Sequence, residues 1–205
     1  QGERTGLGYA RVNAYDTDFC FGDLLVVVAE GVDGIVLPKV ETPAQLQSVD
    51  WVVGQLEREK GLPEGGIDII PIIETGKGVA SVHDIASTST RIKRLSFGAG
   101  DYTKDMAMRW TRHESELAHA RAEIAVASRA AGLEAPLDTV WIHIKETEGC
   151  IKSAELVCDM GFQGKLCIHP DQVDPVNAVF TPSDEDVAFA KKVVKAFEEA
   201  EAQGL

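Results

Sequence analysis

Short apolar runs alternate along this chain with longer stretches in which apolar positions recur at helical spacing. The short runs are rich in Ile and Val and nearly continuous, which is typical of strands buried on both faces of a parallel sheet. They predict strands at residues 9–13, 34–38, 67–73, 95–98, 139–142 and 166–168. The longer stretches predict helices at residues 23–30, 42–60, 78–88, 114–131, 147–160 and 183–202. This alternation indicates an α/β fold built on a parallel sheet.

Two of the predicted helices carry start signals. Thr42 is followed by Pro43 and Gln45, which supplies a cap, a proline at the first helical position and a capping-box partner. Ser183 and Asp186 form a similar signal before the last helix. Both signals support the helical interpretation of the residues that follow them.

Polar side chains stand at or just beyond the ends of the predicted strands: Arg11, Lys39, Glu74, Asp101, His143 and His169. Successive members are on average about 32 residues apart, close to the roughly 31 residues that each unit of a (β/α)8 barrel occupies. Such barrels place reactive side chains at the carboxyl ends of their strands. We therefore expect a TIM barrel. An open doubly wound sheet is the alternative, although no glycine-rich nucleotide fingerprint follows the first strand.

The number of strands differs from that of a complete barrel. The sequence predicts six strands, whereas a TIM barrel closes with eight. The expectation is therefore one partial TIM-barrel domain over residues 1–205, with the first two βα units outside this chain. An open fold is the other interpretation.

Composition narrows the classes of partner. Of the 205 residues, 44% are hydrophobic and 26% are charged, as in one globular domain with a full core. The net charge of −13 argues against nucleic acid or an anionic membrane, because binding to phosphates needs a basic face. A small anionic molecule needs only a few local cations and stays possible.

The lack of a visible targeting signal and the pattern of cysteines favour a cytoplasmic protein. No apolar stretch approaches the roughly 18 residues of a membrane helix, and no signal peptide is visible. The four cysteines form no CxxC pair. Reduced thiols in the cytoplasm are the better interpretation.

Glu74 and Asp101 are the strongest candidates for chemistry. Glu74 ends an Ile-rich predicted strand, and Asp101 follows the next strand in an expected glycine-rich turn. Neighbouring strand ends in a barrel share one rim, so the two carboxylates are expected to lie close together. They would repel each other without a divalent cation, and Mg²⁺ is typically bound by one or two carboxylates. The alternative is a helix-capping Glu74 and a structural turn residue at Asp101.

Cations and histidines at the other strand ends are further candidates. Arg11 could bind a carboxylate or stabilise an enolate oxygen, or it could form a surface ion pair. Lys39 could neutralise a substrate oxygen or pair with a neighbouring glutamate. His143 and His169 are weaker candidates, because a structural role explains them equally well. Neither a zinc-ligand spacing nor a GxSxG nucleophile occurs, so zinc hydrolysis and acyl-serine chemistry are poorly supported.

Longer motifs occur in order along almost the entire chain: RVN, GIVLPKVE, PIIETGKG, FGAGDYTKDM and GFQGKLCIHPDQV. Together they resemble the citrate lyase β-subunit-like and malyl-CoA lyase family, which belongs with the class II aldolases and CoA lyases. The resemblance implies a TIM barrel in which Glu74 and Asp101 bind Mg²⁺. It also implies reversible carbon–carbon cleavage of a small hydroxyacyl-CoA thioester such as malyl-CoA, citramalyl-CoA or citryl-CoA.

The same resemblance implies roles for further residues. Arg11 would polarise the carbonyl oxygen that becomes an enolate, which makes it catalytic and substrate-binding together with the metal ligands. The backbone amides of Gly98, Ala99, Gly100 and Asp101 would contact the substrate. A C-terminal lid that serves a neighbouring subunit is expected to lie outside this chain, and a homotrimer is the expected assembly.

Two other functions stay open. A divalent-metal aldolase acting on 4-hydroxy-2-oxo acids would use the same Glu and Asp positions, although GAGDYTKDM favours the CoA branch. A non-catalytic subunit that binds a CoA ester is the alternative from a different class.

Overall fold

The structure, a computed structural model, describes residues 6–88 and 90–202. Within these residues, six parallel strands form one sheet, and each lies beside its neighbours in sequence. The strands are β1 (Tyr9–Arg11), β2 (Gly34–Leu37), β3 (Asp68–Ile73), β4 (Ser96–Phe97), β5 (Leu137–Asp138) and β6 (Gly164–Lys165). The expected single domain of residues 1–205 also includes residues 1–5, 89 and 203–205, which lie outside the described residues.

Helices connect the strands, as parallel pairing requires. They are α1 (Cys20–Val27), α2 (Pro43–Glu59), α3 (Gly76–Ala80), α4 (Val82–Ala86), α5 (Ala99–Asp105), α6 (Ala118–Ala130), α7 (Thr147–Asp159), α8 (Val173–Phe180) and α9 (Asp184–Ala202). Short 3-10 helices cover Ser115–Leu117 and Pro170–Gln172. Among the described residues, we find no helix with the length and apolar character needed to cross a membrane.

The sheet is open, so the prediction of a TIM barrel is wrong for this chain. In the described part of the chain, β1 pairs only with β2 and β6 pairs only with β5. A barrel exists only when its last strand hydrogen-bonds to its first, and that ladder is absent between these described strands. The α/β class is confirmed. The strand order follows the sequence without reversal, unlike the order of a doubly wound sheet.

The positions of the first four strands agree with the hydrophobic pattern, but β5 and β6 lie entirely before the segments predicted at 139–142 and 166–168. The ladder pairs Leu137 with Gly164 and Asp138 with Lys165. Charged residues therefore occupy the sheet, while the apolar runs at 139–142 and 166–168 form the segments that follow it. The pattern misplaced these strands because Asp138 and Lys165 are buried as an ion pair rather than exposed.

The helix predictions were accurate where capping signals or long amphipathic patterns existed. The capping box before α2 is confirmed, since the Thr42 side chain accepts a hydrogen bond from the Gln45 amide and the Gln45 side chain accepts one from the Thr42 amide. The helix predicted at 78–88 is instead two short helices, α3 and α4, that meet at Ser81. The pattern missed α5 and α8.

The core lies between the sheet and the helices that follow its strands. All six residues of β3 are buried, as the continuous apolar run predicted. Fully buried side chains from the sheet pack in one cluster with fully buried side chains from the helices. The strand members include Ile35, Leu37, Ile69, Ile73 and Phe97, and the helix members include Leu46, Val53, Ile85 and Ile124.

Ion pairs reinforce this core beyond the apolar contacts. Glu57 on α2 is fully buried, and Arg91 donates hydrogen bonds to it and to Asp50. Burial pushes the pKa of Glu57 upward, but the hydrogen bonds from Arg91 and from the amides of Ile67 and Gly65 outweigh it and lower this pKa below its ordinary value. The ionised form of Glu57 is therefore the stable form in the folded chain.

Replacing Arg91 by Met should leave the Glu57 carboxylate buried without its cation. Removing one partner of a buried pair typically costs about 3–5 kcal/mol, so we expect the free energy of unfolding at pH 7 to fall by about 3 kcal/mol in urea denaturation. Because the folded state lowers the pKa of Glu57, the contribution of this pair is complete above the ordinary Glu pKa of about 4.3 and is lost as the pH falls below it. The difference in the free energy of unfolding between the unaltered protein and Arg91→Met should therefore become smaller in acid.

The control is Arg58→Met, which removes an exposed arginine whose Nη1 lies 3.1 Å from Glu64 Oε2. An exposed pair contributes at most about 1 kcal/mol. Equal losses in the two variants would contradict the importance of the buried pair.

Candidate active site

Four of the predicted site residues converge at the carboxyl end of the sheet. Lys39 follows β2 and Glu74 follows β3, and the Lys39 amide donates a hydrogen bond of 3.0 Å to Glu74 Oε1. Lys39 Nζ lies 3.5 Å from Asp101 Oδ1. Arg11, the last residue of β1, places Nη2 4.0 Å from Glu74 Oε1. Two carboxylates and two cations from four successive βα units thus face one another.

The position of Glu74 follows from the strand that precedes it. β3 is buried along its entire length, and Glu74 continues it with only 4% of its surface exposed. Capping of α3 is performed by Thr75, whose Oγ1 accepts a hydrogen bond of 3.0 Å from the Gly78 amide. The sequence-based alternative of a capping role for Glu74 therefore has no support here. Its carboxylate is available for chemistry.

Burial makes the charge of Glu74 costly. Desolvation is the main cause that raises the pKa of Glu74 above its ordinary value, and the negative charge of Asp101 raises it further. The charge of Arg11, the amide of Lys39 and the charge of Lys39 oppose this shift without cancelling it. A cation that contacts both carboxylates would therefore favour the ionised form of Glu74.

Lys39 has an unusual backbone conformation. Its φ is 53°, in the left-handed region that a non-glycine residue adopts at a cost of roughly 1–2 kcal/mol. This conformation directs the Lys39 amide at Glu74 while the side chain reaches Asp101. Strained backbone of this kind concentrates at functional sites. Lys39 is thus the residue that contacts both candidate ligands.

Asp101 lies in the first turn of α5, so the expected loop at this position is instead a helix. The Gly98 amide donates to Ile73 O at 3.0 Å, and the Ala99 amide donates to Thr139 Oγ1 at 2.9 Å. Among the predicted substrate-binding amides, those of Gly98 and Ala99 are therefore already used within the protein. The amides of Gly100 and Asp101 have no acceptor among the described residues.

The two histidines at strand ends have structural contacts. The His143 ring packs edge-on against Trp141, with ring centroids 5.2 Å apart. His169 caps the 3-10 helix Pro170–Gln172, because its Nδ1 accepts a hydrogen bond of 3.2 Å from the Asp171 amide. Within the described part of the chain, neither histidine hydrogen-bonds to Glu74 or Asp101. The structural interpretation of both residues is therefore the better one.

Thr139 is a residue at this site that sequence reasoning missed. The hydrophobic pattern placed it inside a strand, but it follows β5 and its hydroxyl binds the start of α5. The only signal was a threonine within an otherwise apolar run. Its partner, Ala99, is 40 residues away, so no local pattern identifies the contact.

The donor set suits a hard divalent cation. Glu74 and Asp101 offer carboxylate oxygens, and Mg²⁺ is commonly bound by one or two carboxylates while waters and substrate oxygens complete its octahedron. Among the described residues, no group of three or more His, Cys, Asp or Glu side chains is arranged to hold a metal ion. Glu74, whose ionised form a cation would stabilise, and the nearby Asp101 therefore fit Mg²⁺ as two protein ligands.

Glycine at position 98 provides the space that Glu74 occupies. A Cβ at this position would lie 2.7 Å from Glu74 Cβ and 2.9 Å from Ile72 Cγ2. We expect Gly98→Ala to displace Glu74 and to lower the free energy of unfolding by about 1–3 kcal/mol, as overpacking of a buried site does. Thermal unfolding without added metal measures this loss.

Gly100→Ala is the matched control two residues away. Its Cβ would meet only Trp110 Cζ3, at an ordinary contact distance of 3.7 Å. Because Gly100 lies within α5, alanine there should leave stability unchanged or raise it by up to about 1 kcal/mol. A larger loss at position 100 than at position 98 would refute the steric argument.

Comparison with known proteins identifies relatives of this chain. The citrate lyase subunit beta of Leuconostoc mesenteroides subsp. cremoris is 37% identical over 194 residues, which are 95% of this chain and 64% of that protein. The L-malyl-CoA/beta-methylmalyl-CoA lyase of Cereibacter sphaeroides is 35% identical over 95% of this chain and 67% of its own length. This chain therefore spans about two thirds of the length of these relatives.

A solved structure supports the same relationship. CitE from Mycobacterium tuberculosis, in complex with magnesium, acetoacetate and coenzyme A, matches with a TM-score of 0.71 and 26% identity, over 93% of this chain and 67% of that one. A family model described as HpcH/HpaI aldolase/citrate lyase matches residues 8–170, which is most of the chain. The chain therefore belongs to the HpcH/HpaI aldolase/citrate lyase family.

Proposed function

We propose that this chain is part of a Mg²⁺-dependent lyase that cleaves a carbon–carbon bond in a small hydroxyacyl-CoA thioester. The observation that carries the proposal is the buried Glu74 carboxylate beside Asp101, with Lys39 and Arg11 at the same edge of the sheet. Relatives named citrate lyase subunit beta and malyl-CoA lyase support it. Substrates of the proposed class are malyl-CoA, citramalyl-CoA and citryl-CoA.

Glu74 and Asp101 are the proposed metal ligands. When bound, Mg²⁺ supplies a Lewis acid and a template for the oxygens of a 2-hydroxy or 2-oxo acid. The buried Glu74 Oε1 accepts a hydrogen bond from the Lys39 amide, and the side chain of Asp101 is partly exposed. A relative of known structure binds magnesium together with acetoacetate and coenzyme A, which supports this assignment.

Arg11 is the proposed stabiliser of the charge that develops during cleavage. As the carbon–carbon bond breaks, the hydroxyl group of the acid half loses its proton and becomes a carbonyl. The electron pair passes to the thioester half, whose carbonyl oxygen becomes an enolate oxygen until the carbon takes up a proton. The Arg11 side chain is 60% exposed and lies within 4.0 Å of Glu74, so its guanidinium is free to donate to that oxygen. A fixed cation at a developing oxyanion lowers the barrier more than it favours the ground state.

Lys39 and the amides of the 98–101 segment are the proposed contacts to the acid half of the substrate. Lys39 Nζ is near Asp101 and is partly exposed, so it can also approach a substrate carboxylate. Of the four amides at Gly98, Ala99, Gly100 and Asp101, the last two have no acceptor among the described residues. We therefore narrow the proposed amide contacts to Gly100 and Asp101.

The assembly is proposed on the family resemblance alone, the single domain on composition and the location on cysteine usage. We propose one domain over residues 1–205, a homotrimeric assembly and a cytoplasmic location. The acidic net charge of −13 agrees with a protein that binds neither nucleic acid nor an anionic membrane.

Assays of the protein with three CoA thioesters and with free 4-hydroxy-2-oxo acids test the proposed reaction. We expect Mg²⁺-dependent cleavage of at least one among malyl-CoA, citramalyl-CoA and citryl-CoA, with release monitored by chromatography. Cleavage of free hydroxy-oxo acids alone would instead identify a divalent-metal aldolase. Calorimetric binding of a CoA ester without turnover, by the full-length protein, would identify a non-catalytic subunit.

Substitutions at Asp101 and Arg11 distinguish the proposed metal ligand from the proposed oxyanion-stabilising residue. We expect Asp101→Asn to weaken Mg²⁺ binding at least about tenfold and to reduce cleavage in parallel, because a ligand loses its charge. Arg11→Ala should leave the Mg²⁺ affinity nearly unchanged and lower kcat by roughly 10²-fold, as loss of an oxyanion donor does. Calorimetry measures the affinity and steady-state kinetics the rate.

Asp84→Asn on the exposed surface of α4 is the control for a lost aspartate charge. Asp84→Asn should alter neither the Mg²⁺ affinity nor the cleavage rate. Wild-type Mg²⁺ affinity in Asp101→Asn would show that the metal assignment is wrong.

A further inference from the structure

The start of α5 depends on a hydrogen bond from another strand end. Ala99 is the first residue of α5, and its amide has no partner within the helix, as is general for first-turn amides. The residue before it, Gly98, has no side chain to act as a cap. The acceptor is instead Thr139 Oγ1, at 2.9 Å, and both residues are buried.

This hydrogen bond lies in the helical turn that carries Asp101. On the other side of the turn, the Gly98 amide donates to Ile73 O at 3.0 Å. The chain from 98 to 101 is thus held to the residue before Glu74 by one bond and to Thr139 by the other. Removing the bond to Thr139 would leave the Gly98 amide bonded to Ile73 O but would loosen the first turn of α5, which carries Asp101.

The residue before Thr139 belongs to a cluster of buried charges. The preceding residue, Asp138, accepts hydrogen bonds of 2.9 Å from Nε and Nη2 of Arg121 on α6 and of 2.6 Å from Lys165 Nζ on β6. Arg121 Nη2 also donates to Glu114 Oε2 at 2.8 Å, and Ser153 Oγ donates to the same oxygen at 2.6 Å. The side chains of these charged residues are almost fully buried.

Such a cluster holds β5 rigidly. Burying charges costs desolvation energy that an apolar replacement avoids, so a buried ion cluster is weak evidence for stability. Its geometry, however, restricts Asp138 to one position through a bidentate arginine contact. The position of Thr139 directly after this anchored residue is therefore well defined.

We propose that Thr139 is a positioning residue for Asp101, which it orients by accepting the hydrogen bond of the Ala99 amide at the start of α5. The inference rests on the proposed function, in which Asp101 binds Mg²⁺. Partners behind a metal ligand commonly decide the affinity of the site without touching the metal. Thr139 contributes in this way through the backbone of the turn.

Calorimetric Mg²⁺ titration of four proteins tests the proposal. They are the unaltered protein, Thr139→Val, Thr139→Ser and Ser128→Ala. Valine keeps the shape of threonine but removes the hydrogen-bond acceptor, whereas serine keeps the hydroxyl group. Ser128 matches as a control because its buried hydroxyl donates to Ile124 O on α6, away from the turn at residues 98–101. Thermal unfolding without metal gives the stability of each protein.

We expect Thr139→Val to weaken Mg²⁺ binding about tenfold, while Thr139→Ser stays within about twofold of the unaltered protein. In cleavage assays, higher Mg²⁺ should restore kcat in Thr139→Val, because the defect is in the metal site. Ser128→Ala should keep the Mg²⁺ affinity whatever its loss of melting temperature. If Thr139→Val does not fold, Thr139→Ala replaces it under the same criteria. Its smaller side chain lets water hydrogen-bond to the Ala99 amide, so this variant removes the contact with residue 139 without leaving the buried amide unpaired.

Three outcomes separate this inference from the proposed function. If the unaltered protein binds Mg²⁺ and Thr139→Val binds it equally well, Thr139 has no positioning role and the proposed function stands. The positioning role is likewise overturned if Ser128→Ala weakens Mg²⁺ binding as much as Thr139→Val does. Absence of Mg²⁺ binding in the unaltered protein would overturn the proposed function and this inference with it.

Discussion

A carboxylate buried at the end of an apolar strand is the constraint on which the rest of the site depends. Glu74 follows six buried residues of β3, where water cannot stabilise its charge. Stabilisation comes from the guanidinium of Arg11, which ends β1, and from the amide and ammonium of Lys39, which follows β2. Desolvation and the charge of Asp101 still raise the pKa of Glu74, and a divalent cation bound by both carboxylates would favour its ionised form.

The parallel sheet explains why these residues meet. In a parallel sheet, successive strands end at the same edge, so each βα unit can contribute one side chain there. Arg11, Lys39, Glu74 and Asp101 come from four successive units, and an open sheet of adjacent strands is sufficient to bring them together. This part of the geometry does not depend on closure of a barrel.

Charged groups within the fold reinforce the rigid parts of the molecule. Arg91 fixes α2 through Glu57 and Asp50, and Arg121 with Lys165 fixes Asp138 at the end of β5. Both sets are largely buried, so their geometry is restricted by hydrogen bonding as well as by charge. The second set lies beside Thr139 and so connects the rigidity of β5 with the turn that carries Asp101.

The sequence by itself determined the α/β class, the first four strands, the capping box at Thr42 and the set of polar residues at the strand ends. These features are local, because a buried strand needs a continuous apolar run and a cap needs particular residues at particular spacing. Only the tertiary structure decided that the sheet is open, that Lys39 has a left-handed backbone and that Thr139 binds Ala99. It also decided that charged residues form part of β5 and β6, since partners distant in sequence remove the penalty of burying them.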